Sequence, residues 1–374
     1  MKQFIYADNA ATTQLDSDAF EAMKPYLLSE YGNASQPYSF SRSAKKALRE
    51  SRETIAKCIG ALPEEIFFTS GGTESDNWAI KGSAFSDADK RRTVTSAIEH
   101  HAILRACEDI ERLGYPVTYL PVDSTGTLQT DVLSKWITDR TRLVSIMLAN
   151  NEIGSVQDVA ALARVAHSHG VIFHTDAVQA VGHLKIDVNA LGIDMLSASA
   201  HKFNGPKGIG FLYVRKGTHI SPYASGGSQE FGMRAGTENI ASIVGMATAL
   251  KKNCDMIQSI TEHLVSLEQQ LIDAIRISGI DYHRNGSQIR IPGNISLSFP
   301  GKDGEALLHR LDLMGICVST GSACDSKNTQ ISHVLRAIDL EERYAKGTIR
   351  ISLGKNNTTT DVEAIAGALI KILK

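Results

Sequence analysis

Ile66-Phe-Phe-Thr-Ser-Gly-Gly-Thr-Glu-Ser-Asp-Asn77 carries a short apolar run into a glycine pair and then into a helix-like stretch. The apolar start has the β-branched and aromatic character of a strand. Adjacent glycines let the backbone turn sharply and come close to a ligand. The same alternation continues downstream. Val94-Thr95 leads into Ala102 to Leu113, and Leu143 to Leu148 leads into Asp158 to His169. Val171 to His174, Met195 to Ser199 and Ile209 to Val214 follow as further strands. Strands alternating with helices from about Glu65 to Arg215 predict an α/β fold with a mostly parallel sheet, flanked by helices and buried on both faces.

Past Thr237 the pattern changes. Ile240 to about Ile277 reads as one long helix, broken in pattern only by Gly245. Strand-like Asn294 to Phe299, helix-like Gly304 to Leu313, strand-like Ile349 to Leu353 and an amphipathic helix over Thr360 to Leu373 follow. This tail predicts a smaller α+β unit, with the long helix as the hinge.

The chain has 374 residues, 43% hydrophobic and 21% charged, which suits about two globular domains. A formal net charge of −2 gives no global field for nucleic acid or anionic membrane. No stretch approaches the roughly 18 apolar residues of a membrane span. Met1 to Thr13 lacks the basic-then-apolar layout of a signal peptide, so a cytoplasmic protein is expected. Five cysteines without a C-x-x-C pair suggest neither a disulfide framework nor a zinc knuckle.

Four segments carry chemistry. The helix start at Gly72 and Thr73 is either an anion cradle or a tight turn capped by Thr73 or Ser75. It is not the Walker pattern, because no lysine follows. Val171-Ile-Phe-His-Thr-Asp176 is a buried strand ending in a carboxylate, which needs a positive partner or serves as a helix cap. Ser199-Ala-His-Lys202 sets a lysine between a strand end and Gly205-Pro-Lys-Gly208, where it can form an imine with an aldehyde cofactor or lie at the surface. Cys324 falls in a polar stretch after Ala323, where a thiol is either reactive or incidental. Two single residues join these. His100, in Glu99-His-His101, stacks on a ring or caps a helix. Arg350, in Thr348-Ile-Arg-Ile-Ser352, clamps a carboxylate if it faces inward.

The order of these signals, with Tyr6-Ala-Asp-Asn-Ala-Ala-Thr-Thr13, Val144-Ser-Ile-Met-Leu-Ala-Asn-Asn-Glu-Ile-Gly154, His201-Lys-Phe-Asn-Gly-Pro-Lys-Gly-Ile-Gly210, Gly232-Met-Arg-Ala-Gly-Thr237, Gly321-Ser-Ala-Cys324 and Ile349-Arg-Ile-Ser-Leu-Gly354, resembles the fold-type I pyridoxal-phosphate enzymes. Within them it is similar to the class V aminotransferase superfamily and its cysteine desulfurases of the NifS/IscS kind, over nearly the whole chain. The resemblance implies a large pyridoxal-phosphate-binding domain over 13–255. It implies a small domain from 1–12 and 256–374 that carries the catalytic cysteine loop.

Residue by residue, the resemblance implies that Lys202 holds the cofactor as an imine and moves protons. Asp176 would pair with the ring nitrogen, His100 would stack on the ring, and Gln179 would bond its phenolic oxygen. Gly72, Thr73, Ser199 and His201 would hold the phosphate, with Thr237 reaching it from the partner subunit of a homodimer. Asn151 and Arg350 would bind the substrate carboxylate. Cys324 would take sulfur from L-cysteine as a persulfide, releasing alanine. An acceptor protein would follow, either an iron–sulfur scaffold or a tRNA- or cofactor-thiolation enzyme. The free enzyme would have no resident metal, any metal contact being that of Cys324 within a complex. No direct nucleic-acid or membrane contact is implied.

The spacing from Cys324 to Val334-Leu-Arg-Ala337 suits the long-loop group of these enzymes. Departures from the family pattern are Asp325-Ser326 after the cysteine, Gln330-Ile331 later, and Ala200 where a glycine is usual. The chain also ends soon after its last helix, where relatives with longer tails dock a scaffold. Rival readings are a selenocysteine lyase or aminotransferase on the same fold, a scaffold without catalysis, and a metal protein, for which no ligand spacing is found.

Overall fold

The computed structural model describes residues 4–87, 89–320 and 331–374. Its organising feature is a seven-stranded sheet, in the spatial order Ile66–Thr69, Gly210–Val214, Met195–Ser199, Ile172–Asp176, Thr141–Ser145, Arg92–Ser96, Val117–Leu120. Gly210–Val214 runs antiparallel to both of its neighbours. The remaining pairs are parallel. The expected mostly parallel α/β sheet is therefore present, with one reversed strand inside it.

Every residue of Met195–Ser199 and Gly210–Val214 is buried, because helices cover both faces. Gly72–Ala84 and His101–Arg112 pack Trp78, Ile103, Cys107 and Ile110 against one face. Val159–Ser168 and Arg42–Ile59 bury Leu162, Ala163, Ile55 and Ile59 against the other. Six of the strands run the same way, so Thr69, Ser96, Ser145, Asp176 and Ser199 end at one edge of the sheet. That edge is where open α/β sheets bind ligands.

The helix Ile240–Ile277 is continuous over 38 residues, and Gly245 does not break it. Met23 presses close on Gly245, where a Cβ would lie 2.5 Å from its sulfur. The first half of this helix buries Ile243, Met246 and Leu250 in the core of the large sheet. Its second half buries Leu264, Leu267, Leu271 and Ile275 in a second core. That second core also holds Ala7 and lies against the antiparallel sheet Thr348–Ser352, Asn294–Ser298, His283–Arg284. The N-terminal strand Ile5–Tyr6 pairs with Ile316–Cys317. Asp8 bridges to Ser352. The changeover between Leu250 and Leu264 supports a domain division at 255/256, with 1–12 returning to the smaller unit, and we propose that division. Among the described residues no helix is long and apolar enough to cross a membrane.

Candidate active site

A cavity of about 520 Å³ opens at the carboxyl edge of the large sheet. Gly72, Thr73, His100, Asn151, Asp176, Gln179, Ser199, His201, Lys202 and Arg350 all line it. Residues from six stretches of chain thus meet in one place, as the ordering of their motifs led one to expect.

At the helix start, Gly71 has φ 150° and no side chain caps the turn. Neither expected cap is made. Ser75 turns its hydroxyl to Thr69 Oγ1 at 2.8 Å, and Thr73 is exposed. The first-turn N–H groups therefore face the cavity without a side-chain acceptor, which suits an anion. The approach is tight: a Cβ at Gly72 would stand 2.6 Å from Val178 Cγ2. Ser199 Oγ lies 3.4 Å from where a Cβ on Gly71 would be. His201 Nδ1 meets Thr12 Oγ1 at 3.1 Å.

Asp176 is buried at its strand end, and its Oδ1 accepts from the Val178 N–H at 2.9 Å. Burial pushes its pKa up to about 6, against the pull of Lys202. Among the described residues it has no ion-pair partner within 4 Å. Beside it lies Asp76, a residue that sequence reasoning did not single out. Asp76 is 1% exposed, and its Oδ1 has no hydrogen-bond partner. Burial, then the charge of Asp176, raises its pKa well above the usual carboxylate range. Single ligand atoms of Asp76, Asp176 and His100 lie within 4.8 Å of one another.

His100 Nδ1 accepts from the Ala102 N–H at 3.1 Å and caps the helix His101–Arg112. Accepting there leaves the single proton of a neutral ring on Nε2. Burial, then the charge of Lys202, holds its pKa down at about 4. Lys202 Nζ donates to the carbonyls of Ala10 at 2.6 Å and Ala11 at 2.9 Å. Gln179 Nε2 donates to the same Ala10 oxygen at 3.0 Å. The N-terminal segment therefore forms one wall of the site.

Arg350 faces inward and is 4% exposed. Its Nη1 donates to the Asn151 carbonyl at 2.9 Å and its Nη2 to Asp8 Oδ1 at 2.7 Å. Its Nε is buried without a partner. Thr237 is exposed and does not line the cavity. Cys324 lies outside the described residues.

Two features test whether pyridoxal phosphate suits these residues. Among the described residues Asp176 has no cation in contact and Asp76 has only the neutral His174 at 4.0 Å, a gap that a protonated ring nitrogen would fill. The uncapped helix start, with Ser199 and His201 near it, suits a phosphate. The trio of Asp76, Asp176 and His100 has a composition that would also suit a cation, but the strand-end lysine beside it favours an aldehyde. Sequence reading missed Asp8 and Asp76. Asp76 had one signal, a carboxylate one turn into a helix with Gly72, Ala79 and Ile80 at the helical positions beside it.

The family described as Aminotransferase class-V matches residues 5–365. A protein of Dictyoglomus turgidum named cysteine desulfurase IscS is 47% identical over 376 residues, covering 100% of this chain and 95% of that one. Its namesake from Methanosarcina thermophila is 44% identical, covering 99% and 92%. Among solved structures, a NifS-like protein superposes with a TM-score of 0.94 at 37% identity, covering 99% of each chain. A structure described as SspA in complex with cysteine gives a TM-score of 0.83 at 36% identity, covering 95% of this chain and all of the other.

Proposed function

The chain belongs to the class-V aminotransferase family, and we propose that it works there as a cysteine desulfurase. It converts L-cysteine to L-alanine and leaves the sulfur on Cys324 as a persulfide. The observation that carries this is the convergence of Lys202, Asp176, His100 and Arg350 on one cavity, in a chain that also contains Gly321-Ser-Ala-Cys324. A plain aminotransferase needs no such thiol.

Bound pyridoxal phosphate supplies an electron sink that stabilises carbanion character at the substrate. Lys202 holds that cofactor and carries protons at Nζ, released from the carbonyls of Ala10 and Ala11. Asp176, buried with Asp76 beside it, would pair with the ring nitrogen, and a protonated nitrogen there would hold Asp176 in its ionised form. His100, neutral because its Nδ1 accepts from the helix, offers a flat face and an Nε2–H. Gln179 bonds the phenolic oxygen. Gly72, Thr73, Ser199 and His201 take the phosphate. Arg350, with Asn151, takes the substrate carboxylate. Cys324, as thiolate, accepts the sulfur atom while the carbon it leaves takes a proton, so cysteine plus thiol gives alanine plus persulfide.

Thr237 completes the phosphate site from the second subunit of a homodimer. Its exposure outside its own cavity supports that reading. The persulfide passes to an acceptor protein, an iron–sulfur scaffold or a thiolation enzyme, in the cytoplasm. The test is alanine and sulfide production from L-cysteine with dithiothreitol, beside Cys324→Ala and Lys202→Ala. Wild type is expected to make both products while each variant loses at least about a hundredfold in rate. A Cys324→Ala protein as active as wild type would overturn the persulfide role.

A further inference from the structure

Just behind the N-terminal wall of the cavity, in contact with Arg350, lies a carboxylate to which the reaction as described gives no task. Asp8 Oδ1 accepts from Arg350 Nη2 at 2.7 Å, and the two side chains are 19% and 5% exposed. This is not a flexible surface pair. The backbone on each side of Asp8 is tied to the residue two beyond Arg350: Ser352 N–H donates to the Ala7 carbonyl at 2.8 Å, and Asn9 N–H donates to the Ser352 carbonyl at 3.0 Å. Ser352 Oγ also accepts from the Ala10 N–H at 2.9 Å.

Arg350 meets a ligand with two of its five N–H donors already in use. Nη1 is given to the Asn151 carbonyl, and Nε is buried with no partner. A carboxylate that grips a guanidinium side-on takes Nε and Nη2 together. Asp8 holds only Nη2, so a carboxylate arriving there shares that nitrogen with an anion already in place.

We propose that Asp8 is a counter-charge built into the substrate site, which neutralises Arg350 and makes an amino-acid carboxylate compete for Nη2. The inference rests on the desulfurase reading and on Arg350 as the carboxylate partner. The carboxylate is common to cysteine, to the product alanine and to every other free amino acid, so a fully available arginine would bind them all. Asp8 weakens that shared contact, eases alanine out, and leaves discrimination to the thiol end of the substrate. Asp8 acts through Arg350 and is a positioning residue.

Asp8→Asn keeps an acceptor for Nη2 and removes the charge. The holoenzyme variant is compared with wild type in KM and kcat for L-cysteine, in the inhibition constant for L-alanine, and in the inhibition constant for cysteamine, which is cysteine without its carboxylate. The expected result is a KM for cysteine and an inhibition constant for alanine each lowered by roughly five- to tenfold, kcat not raised, and cysteamine within about twofold of wild type. Unchanged or raised values for cysteine and alanine overturn the proposal. An equal shift for cysteamine also overturns it, since a general distortion of the site would move all three ligands. A wild-type protein that makes no alanine from cysteine defeats the desulfurase reading instead, before Asp8 is at issue.

Discussion

Gly72 is where one hydrogen atom decides whether the proposed phosphate cradle fits. Its place at the helix start leaves no room for a methyl group, which would press on Val178. Gly72→Ala is expected to raise the dissociation constant for pyridoxal phosphate by about tenfold or more, because the helix start and Val178 must part to admit the methyl. Titration of apoprotein with cofactor, followed by visible absorbance, checks this, and an unchanged constant removes Gly72 from the cradle. Glu99 poses a different problem. It is fully buried, accepting from Ser96 Oγ at 2.6 Å and from the Met147 N–H at 3.0 Å. Burial raises its pKa from 4.5 to about 8. Between those values the unfolded chain gives up the proton while the folded chain keeps it, so stability falls as pH rises through that window. Glu99→Gln imitates the protonated acid, and its melting temperature is expected to fall less than that of wild type between pH 5 and pH 8. Parallel curves would show that Glu99 holds no proton there.

Elements set these residues in place through a few fixed joints. Arg52, on the helix Arg42–Ile59, forms a two-pronged pair with Glu230 at 2.8 and 2.7 Å. Glu230 also accepts from the Phe68 N–H at 2.8 Å, and the Arg52 guanidinium lies 4.4 Å from the Phe68 ring. The joint thus clamps the strand that delivers Gly71 and Gly72. Both partners are buried, so Glu230→Ala strands a cation and is expected to cost about 3–5 kcal/mol, read from the denaturant midpoint. A loss under about 1 kcal/mol would mean that water reaches Arg52. Elements of this kind differ in how far the sequence discloses them. Met195–Ser199 and Gly304–Leu313 were legible to the residue and Ile240–Ile277 closely, since each is a periodic helix or an apolar strand between clear breakers. The helices Ser17–Leu28 and Arg42–Ile59 fall before the alternation that announced the sheet, and Val117–Leu120 has Thr118 and Tyr119 inside it, so no apolar run marks it. The reversed direction of Gly210–Val214 depends on pairing with distant strands, which no local period records. The residues that meet in the cavity were legible because most stand at or just after a strand end within a run of matching residues. Asp8 was not, because its meaning is a contact with Arg350, 342 positions away.

At the scale of the whole molecule, one helix threads both cores and one N-terminal segment ties them at the active site. Ile240–Ile277 passes from the core of the large sheet to that of the small one, while residues 7–11 bring Asp8 to Arg350 and two carbonyls to Lys202. Thr237, exposed and outside the cavity of its own chain, is the residue proposed to reach the cofactor phosphate from a second copy. Thr237→Asp sets a carboxylate against that phosphate and is expected to abolish most activity, as Lys202→Ala does at the cofactor. Neither homodimer then turns over cysteine. Unfolding and refolding the two variants together, so that subunits reassort, yields hybrids in which one site has both defects and the other has neither. With random pairing about one site in four is intact, and alanine production is expected to return to about a quarter of the wild-type rate. If Thr237 served its own chain, every site in every hybrid would carry one defect and no activity would return. Recovery in the mixture therefore separates a shared site from a private one, and its size reports how freely the subunits exchange.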